Sequence, residues 1–356
     1  MSKYFVSKYA SLSPYVPGEQ PQDKAYVKLN TNESPFEPPR EIFDIVKNQS
    51  RRLNLYSDPD NRVITQAIAD YYGLEYENVL VTNGSDEALN YAFMAFCDED
   101  HPIVFPNITY GFYPVIANLN GIPYTEIALN EDFTINSMDY CDIGKNIVIA
   151  NPNAPTGIAL DLSEIEAIIT SNPDNIIIID EAYIDFGGRS CIPLLRKYRN
   201  LLVTQTFSKS RSLAGARLGF ILGDAELIAD MNTLRNSCNP YNVNRMTAEA
   251  GVVALRENTY FMNNCKAIMY NRRYTQKALE ALGFRVLPSC ANFIFVQSDR
   301  ISGEDLYLKL KDKGVLIRHF TKPEIADWNR ITIGSMRQME TLIEKINEIF
   351  EEEDKD

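Results

Sequence analysis

The sequence predicts an α/β protein built on a largely parallel sheet. Two observations predict it: short Ile- and Val-rich runs alternate with helical patterns from residue 78 to 223, and four of those runs end in unusual polar clusters. Alternation of this kind is the signature of strands joined by helical crossovers. Polar clusters at strand ends belong where such sheets bind ligands, outside the carboxyl ends of the strands. At 356 residues the chain exceeds the usual single-domain size, so a large domain with a smaller companion is expected.

The expected strands are, in order, "NVLVT" (78–82), "PIVFP" (102–106), "NIVIAN" (146–151), "NIIIID" (175–180), "NLLVTQT" (200–206) and "RLGFILG" (217–223). Between them lie "SDEALNYAFMAF" and "DLSEIEAIITSN", the second opening on an Asp cap with carboxylates in its first turn. Near residue 251 the pattern changes. A long polar helix (about 255–282) leads into "FRVLPSCANFIFVQ", "GEDLYLKLKDKGVLIR", "RITIGS" and a last charged helix, which together read as a compact α+β unit. The acidic tail "EEEDKD" reads as a frayed, solvated end.

A net charge of −13 argues against nucleic acid as a partner, because neutralising phosphates requires surplus Lys and Arg. An anionic small molecule needs only a local basic pocket. The six cysteines form no C-x-x-C and have no metal-spaced histidines, so no metal site is expected. They read as reduced thiols of a cytoplasmic protein. The N-terminal "MSKYFVSKYASLSPYVPGEQ" is polar and broken by prolines, unlike a signal peptide, and no apolar run approaches bilayer-spanning length.

The clusters are "TNGSDEA", "NPNAPTG", "DEAY" and "TFSKS". Alone, each has an ordinary reading: a strand-end Asp caps helices, "NPNAPTG" is rich in turn formers, and "NGSD" lacks the lysine of a P-loop. Together, in this order, they suit pyridoxal phosphate. That cofactor needs a lysine amine for a Schiff base, an acid opposite its pyridine nitrogen, and donors around its phosphate. Lys209 supplies the amine and Asp180 the acid, kept ionised by the ring cation beside it. Phosphate donors are the backbone N–H groups of Gly84, Ser85 and Asp86 at a helix N-terminus, with Thr206, Ser208 and the forked guanidinium of Arg217.

"TFSKSRSLAGARLGF", "IIIIDEAYIDF", "NPNAPTG", "NGSDEAL" and "LNTNESPF" together resemble the fold type I pyridoxal-phosphate aminotransferases, most closely the histidinol-phosphate aminotransferase family. The resemblance covers nearly the whole chain. It implies a large domain with a mostly parallel seven-stranded sheet flanked by helices (46–251), a smaller C-terminal α+β domain (252–356) and an N-terminal segment (1–45) joining the small domain. Tyr183 resembles the tyrosine that hydrogen-bonds the cofactor's phenolic oxygen, and Tyr110 the aromatic that stacks on its ring, the alternative for Tyr110 being core filling. Tyr56 is similar to the tyrosine that reaches the cofactor phosphate of the neighbouring subunit, which implies a homodimer. Where many relatives carry Asn before "PTG", this chain has Ala154, leaving that contact to Asn153 or to Tyr183 alone. Arg330 resembles the arginine that clamps the substrate's carboxylate, or its place in an amino-alcohol phosphate. Arg318 and Tyr15 match positions that meet the substrate's phosphate end, with an exposed strand-end charge as the alternative for Arg318. His319 beside it is a candidate for the pocket lining.

The activity implied is ping-pong transamination of histidinol phosphate and 2-oxoglutarate to imidazole acetol phosphate and glutamate, in histidine biosynthesis. Threonine-phosphate decarboxylation and broad aromatic amino-acid transamination are the rivals within the class. A cofactor-binding regulatory module is the rival outside it, but the chain has no basic helix-turn-helix pattern.

Overall fold

The computed structural model describes residues 2–354. In chain order its elements are β1 (Val27–Lys28), α1 (Arg40–Ser50), α2 (Arg62–Tyr72), β2 (Val79–Thr82), α3 (Ser85–Phe96), β3 (Ile103–Pro106), α4 (Tyr113–Asn120), β4 (Tyr124–Ile127), β5 (Asn146–Ala150), α5 (Leu162–Ser171), β6 (Ile177–Asp180) and β7 (Leu201–Thr206). There follow β8 (Gly219–Leu222), α6 (Ala225–Cys238), α7 (Arg245–Arg256), α8 (Asn258–Ala281), β9 (Phe284–Val286), β10 (Phe293–Ser298), α9 (Gly303–Asp312), β11 (Val315–Leu316), β12 (Arg318–His319), β13 (Trp328–Thr332) and α10 (Met336–Glu353).

Seven strands form the main sheet in the order β2-β8-β7-β6-β5-β3-β4. Only β8 runs against the rest. The apolar runs lack alternation because both faces are covered. Ile177 and Ile179 of β6 enter one core with α2, α5 and α7, while Ile178 enters the other with α3, α4 and α6. The strand that apolar runs did not reveal is β4, whose "YTEI" is largely exposed. As an edge strand it packs through its two ends, Tyr124 stacked on Phe105 at 5.2 Å and Ile127 against the core beneath α2 and α5, and Glu126 on that edge discourages further pairing.

The long helix expected over about 255–282 is α8, which begins at Asn258, the chain turning at Glu257 after α7. A four-stranded antiparallel sheet, β12-β13-β10-β9, follows, covered on one face by α9 and α10 around Ile294, Val296, Ile331 and Leu342. The N-terminal segment lies against it, with β1 pairing in parallel with β11. The tail departs from expectation. Helix α10 runs on through Glu353, held by Lys313–Glu352, Lys309–Glu353 and Arg300–Asp354 ion pairs of 2.7, 2.8 and 2.8 Å. The last two tail residues lie outside the described ones. No described helix is long and apolar enough to cross a membrane.

Candidate functional site

β2, β5, β6 and β7 run in the same direction, so their carboxyl ends, and with them all four polar clusters, share one rim of the sheet. The strand pairing brings Asp180 and Lys209 onto adjacent strand ends, and β8 returns Arg217 to the same rim.

Asp180 ends β6 on the face of Ile178 and is buried, at 4 % exposure. Its carboxylate accepts from the Tyr113 hydroxyl at 2.9 Å and from the Ala182 N–H at 3.3 Å. Both donors are neutral. Burial therefore dominates and lifts its pKa from 3.8 to about 6. Lys209 follows β7, and its amine donates to the Thr31 carbonyl at 3.3 Å. Burial, then the positive charge of Arg330, lowers its pKa from 10.5 to about 8. A substantial fraction of the amine is thus neutral near pH 7 to 8, as a nucleophile or base requires.

Gly84 is the N-cap of α3 and has φ +84°, ψ 162°, a region open in practice only to glycine. The Arg217 guanidinium lies directly over it: a Cβ there would sit 2.6 Å from Nη2. Gly219 is equally confined, since its Cβ would meet the Gly84 carbonyl carbon and the Ser85 nitrogen at 2.4 Å. Two glycines thus let β8 close on the start of α3, so that a guanidinium and an uncapped helix N-terminus converge. Gly84→Ala is expected to cost about 1 to 3 kcal/mol from the backbone alone and to push Arg217 aside. A lower Tm together with a weaker Kd for the phosphorylated cofactor would check both effects.

Not every expected phosphate donor is free. The Gly84 N–H is spent on the Thr82 carbonyl at 3.0 Å to close the turn, which leaves Ser85 and Asp86. The Thr206 hydroxyl is committed to Ser208 Oγ (2.9 Å), the Ser208 N–H (3.1 Å) and the Leu218 carbonyl (3.2 Å), so it braces Ser208 instead of facing a ligand. The Asp86 carboxylate joins the cradle to the next cluster: it takes Arg217 Nη2 at 3.1 Å and the Tyr110 hydroxyl at 2.9 Å. Tyr110 packs edge-on against Tyr113 and Tyr15, with centroids at 5.6 and 6.0 Å, and its ring also rests on the core between the sheet and α3, α4 and α6.

Asn153 is at the rim but its amide is used up. It accepts from Thr109 Oγ1 at 2.8 Å and donates to the Ile108 carbonyl at 2.9 Å and to Thr156 Oγ1 at 3.2 Å. It holds the "NPNAPTG" loop in shape, and a ligand contact from it would break that bracing. Ala154 packs with Ala291, Phe293 and Tyr183. Tyr183 itself accepts from Asn32 Nδ2 at 3.0 Å, and the Lys209 amine sits 5.8 Å from its ring centroid.

Across from the rim, Arg330 of β13 lies between the rings of Phe293 and Phe320 at 5.4 and 5.9 Å. One nitrogen donates to the Asn30 carbonyl at 3.1 Å, while Nε is buried without a partner. A buried guanidinium with unspent donors suits a bidentate anion. Arg318 pairs with Arg330 across β12 and β13 and shares its face. Its two terminal nitrogens hold the Val16 and Pro17 carbonyls at 3.0 and 3.1 Å. That grip places Tyr15 against Tyr110 and Phe112. Arg318 is therefore not a solvated strand-end charge. His319 does not line this pocket: alternation along β12 turns it to the opposite face, stacked on Tyr307 at 5.9 Å.

Tyr56 is not brought to the rim. It is 81 % exposed, its ring stacked on Tyr241 at 4.7 Å. Sequence reasoning missed Tyr113, Asn32 and Thr31, which hold Asp180, Tyr183 and Lys209. Asn32 and Thr31 lie inside the quoted "LNTNESPF", but their partners are more than 100 residues away. No local pattern marked Tyr113.

Pyridoxal phosphate fits this donor set. Asp180 is a buried carboxylate held only by neutral donors, and Arg217 over Gly84 at the start of α3 forms a cradle that a Cβ would fill.

Residues 24–346 match the family Aminotransferase class I and II. The chain is 46% identical over 352 residues to a histidinol-phosphate aminotransferase of Brachyspira hyodysenteriae, covering 98% of this chain and 99% of that one. It is 44% identical over 351 residues to a histidinol-phosphate aminotransferase of Clostridium botulinum, covering 98% and 99%. Its backbone matches the crystal structure of the histidinol-phosphate aminotransferase from Sinorhizobium meliloti, in complex with pyridoxal-5'-phosphate. The TM-score is 0.87 at 22% identity, over 98% of this chain and 99% of that one, a likeness of fold. The chain belongs to the class I and II aminotransferases and, within them, to the histidinol-phosphate aminotransferase family.

Proposed function

We propose that this chain is a pyridoxal-phosphate-dependent aminotransferase that converts histidinol phosphate and 2-oxoglutarate to imidazole acetol phosphate and glutamate. The observation that carries the reading is the placement of Lys209, Asp180 and the Arg217–Gly84 cradle on one rim, facing Arg330 and Arg318. The full-length relatives at 44 and 46% identity support the substrate.

When bound, the cofactor supplies a carbonyl carbon for the substrate amine and a protonated ring that draws electrons from the amine-bearing carbon. The protein's residues do the rest. Asp180 keeps a carboxylate at the ring nitrogen, its geometry fixed by Tyr113. Arg217, Ser208 and the N–H groups of Ser85 and Asp86 hold the phosphate. Tyr183 Oη donates to the phenolic oxygen, a contact Asn153 is not free to make. Lys209 Nζ, neutral in part at physiological pH, would take the proton from the amine-bearing carbon of the first substrate and, in the second half of the cycle, would deliver a proton to the corresponding carbon of the oxo acid. Arg330 anchors the acidic end of each substrate in turn, and Tyr15 closes the pocket over it.

The homodimer belongs to the same proposal. Phe43, Leu53, Leu55, Tyr56 and Val63 are each more than half exposed, and such a concentration of apolar side chains suits an interface through which Tyr56 reaches the partner's phosphate cradle. So do the division at residues 45 and 251, of which the β1–β11 pairing supports the joining of the N-terminal segment to the small domain, and a cytoplasmic location, supported by six free cysteines.

The test is spectral: histidinol phosphate is added to the cofactor-loaded protein without any oxo acid, and the visible cofactor band is followed. Stoichiometric loss of the band without release of carbon dioxide is expected. An unchanged band would overturn the assignment of substrate. Arg318→Ala is expected to raise KM for histidinol phosphate by about 10- to 100-fold, the scale of one hydrogen bond to a charged group, and KM for an unphosphorylated aromatic amino acid far less. Equal increases would mean that Arg318 serves only to hold Val16 and Pro17.

A further inference from the structure

Three consecutive residues of the N-terminal segment each hold one functional side chain. The Asn30 carbonyl takes Arg330 Nη2 at 3.1 Å, the Thr31 carbonyl takes the Lys209 amine at 3.3 Å, and the Asn32 amide donates to Tyr183 Oη at 3.0 Å. Asn32 is the most constrained of the three. It is 1 % exposed and adopts φ +57°, a conformation Asn tolerates better than most residues.

Its orientation is set from β13, two residues beyond Arg330. The Asn32 N–H donates to Thr332 Oγ1 at 2.9 Å, and that hydroxyl donates in turn to Asn32 Oδ1 at 3.1 Å. Asn292 Nδ2 holds the Asn32 carbonyl at 2.9 Å. Thr332 Oγ1 already accepts the Asn32 N–H, and its own proton finds its acceptor in Asn32 Oδ1; this assignment of the amide turns the NH₂ group to Tyr183. A phenol oxygen that already receives an N–H points its own proton elsewhere.

We propose that Asn32 is a positioning residue that makes Tyr183 a hydrogen-bond donor: it occupies the phenol's acceptor side and directs the phenol proton to the cofactor's phenolic oxygen. The same amide ties that contact to β13 and so to the strand that carries Arg330. Substrate anchoring and the tuning of the cofactor therefore share one rigid link. The inference rests on Tyr183 being the cofactor's partner, as proposed above.

The test is a double-mutant cycle on the cofactor-loaded protein, read as the pH midpoint of its visible absorption, with Tm as the control for folding. The charged groups near the Tyr183 phenol, namely Arg330, Asp180, Asp86 and Lys209, are kept in every variant. Tyr183→Phe removes a donor that stabilises the more negative, deprotonated chromophore, so the midpoint rises, by about 1 to 2 units. Asn32→Gly, which keeps the positive φ, is expected to raise it in the same direction by a smaller amount. In the Tyr183→Phe background it is expected to add nothing. Should the glycine variant not fold, Asn32→Asp asks the same question by offering an acceptor that draws the phenol proton away, and its coupling to Tyr183→Phe is what is read. An Asn32 variant that leaves the midpoint where it was while Tyr183→Phe moves it, or shifts that simply add, would overturn the inference. A midpoint that Tyr183→Phe does not move would remove both Tyr183 from the cofactor and the role of Asn32.

Discussion

Lys209→Ala will lower turnover of histidinol phosphate by at least about 10⁴-fold, the upper end of what one acid–base group contributes, because it removes both the amine that engages the cofactor and the proton carrier. The fold will survive. Lys209 makes one hydrogen bond, to the Thr31 carbonyl, and its folded-state pKa of about 8 lies below its ordinary 10.5. A lowered lysine pKa means that the unfolded chain binds the proton more tightly, so the amine costs stability below pH 8 and that cost fades between pH 8 and 10.5. At pH 7 the cofactor-free variant is therefore expected to melt no lower than the cofactor-free parent. Turnover within tenfold of the parent would remove Lys209 from the chemistry, whereas a collapsed Tm would mean that the lysine also holds the "LNTNE" segment.

Asp180→Asn separates function from stability in opposite directions. In the loaded enzyme it removes a buried carboxylate from a cation, a loss of about 3 to 5 kcal/mol, or about 10²- to 10⁴-fold in kcat/KM. In the cofactor-free protein the sign reverses. The folded-state pKa of Asp180, about 6, is raised above its ordinary 3.8, so its contribution is full below 3.8 and lost as pH rises through 6. By pH 8 the buried charge costs about 3 kcal/mol. Asn keeps the shape: its oxygen can accept from the Ala182 N–H while its NH₂ donates to the Tyr113 hydroxyl oxygen, so the cofactor-free variant should melt higher than the parent at pH 8 and no higher at pH 4. Melting curves at the two pH values, with kcat/KM of the loaded forms, decide it. A variant that is less stable at both would show that the Tyr113–Asp180 hydrogen bond outweighs the desolvation of the charge.

Local chemistry alone encodes a large part of this architecture. Unbroken Ile and Val runs specify strands covered on both faces, and a strand end followed by Lys209, Asp180 or Gly84 places that group on the carboxyl rim whatever the rest of the chain does. Those residues are legible because each is the unusual residue in its own short window. The edge strand β4 was not legible, since one exposed face needs no apolar run. Which side chains are free to act depends on packing between distant segments. Asn153, Thr206 and the Gly84 N–H are spent on their own loops, His319 turns away, and Arg318 grips the backbone at Val16 and Pro17. The partners that set Asp180, Lys209 and Tyr183 come from α4 and from residues 31 and 32, so distant in sequence that no window contains both ends. The physical reason is that a residue's type fixes what it can bond to, while the saturation of its donors and acceptors depends on neighbours that only folding supplies.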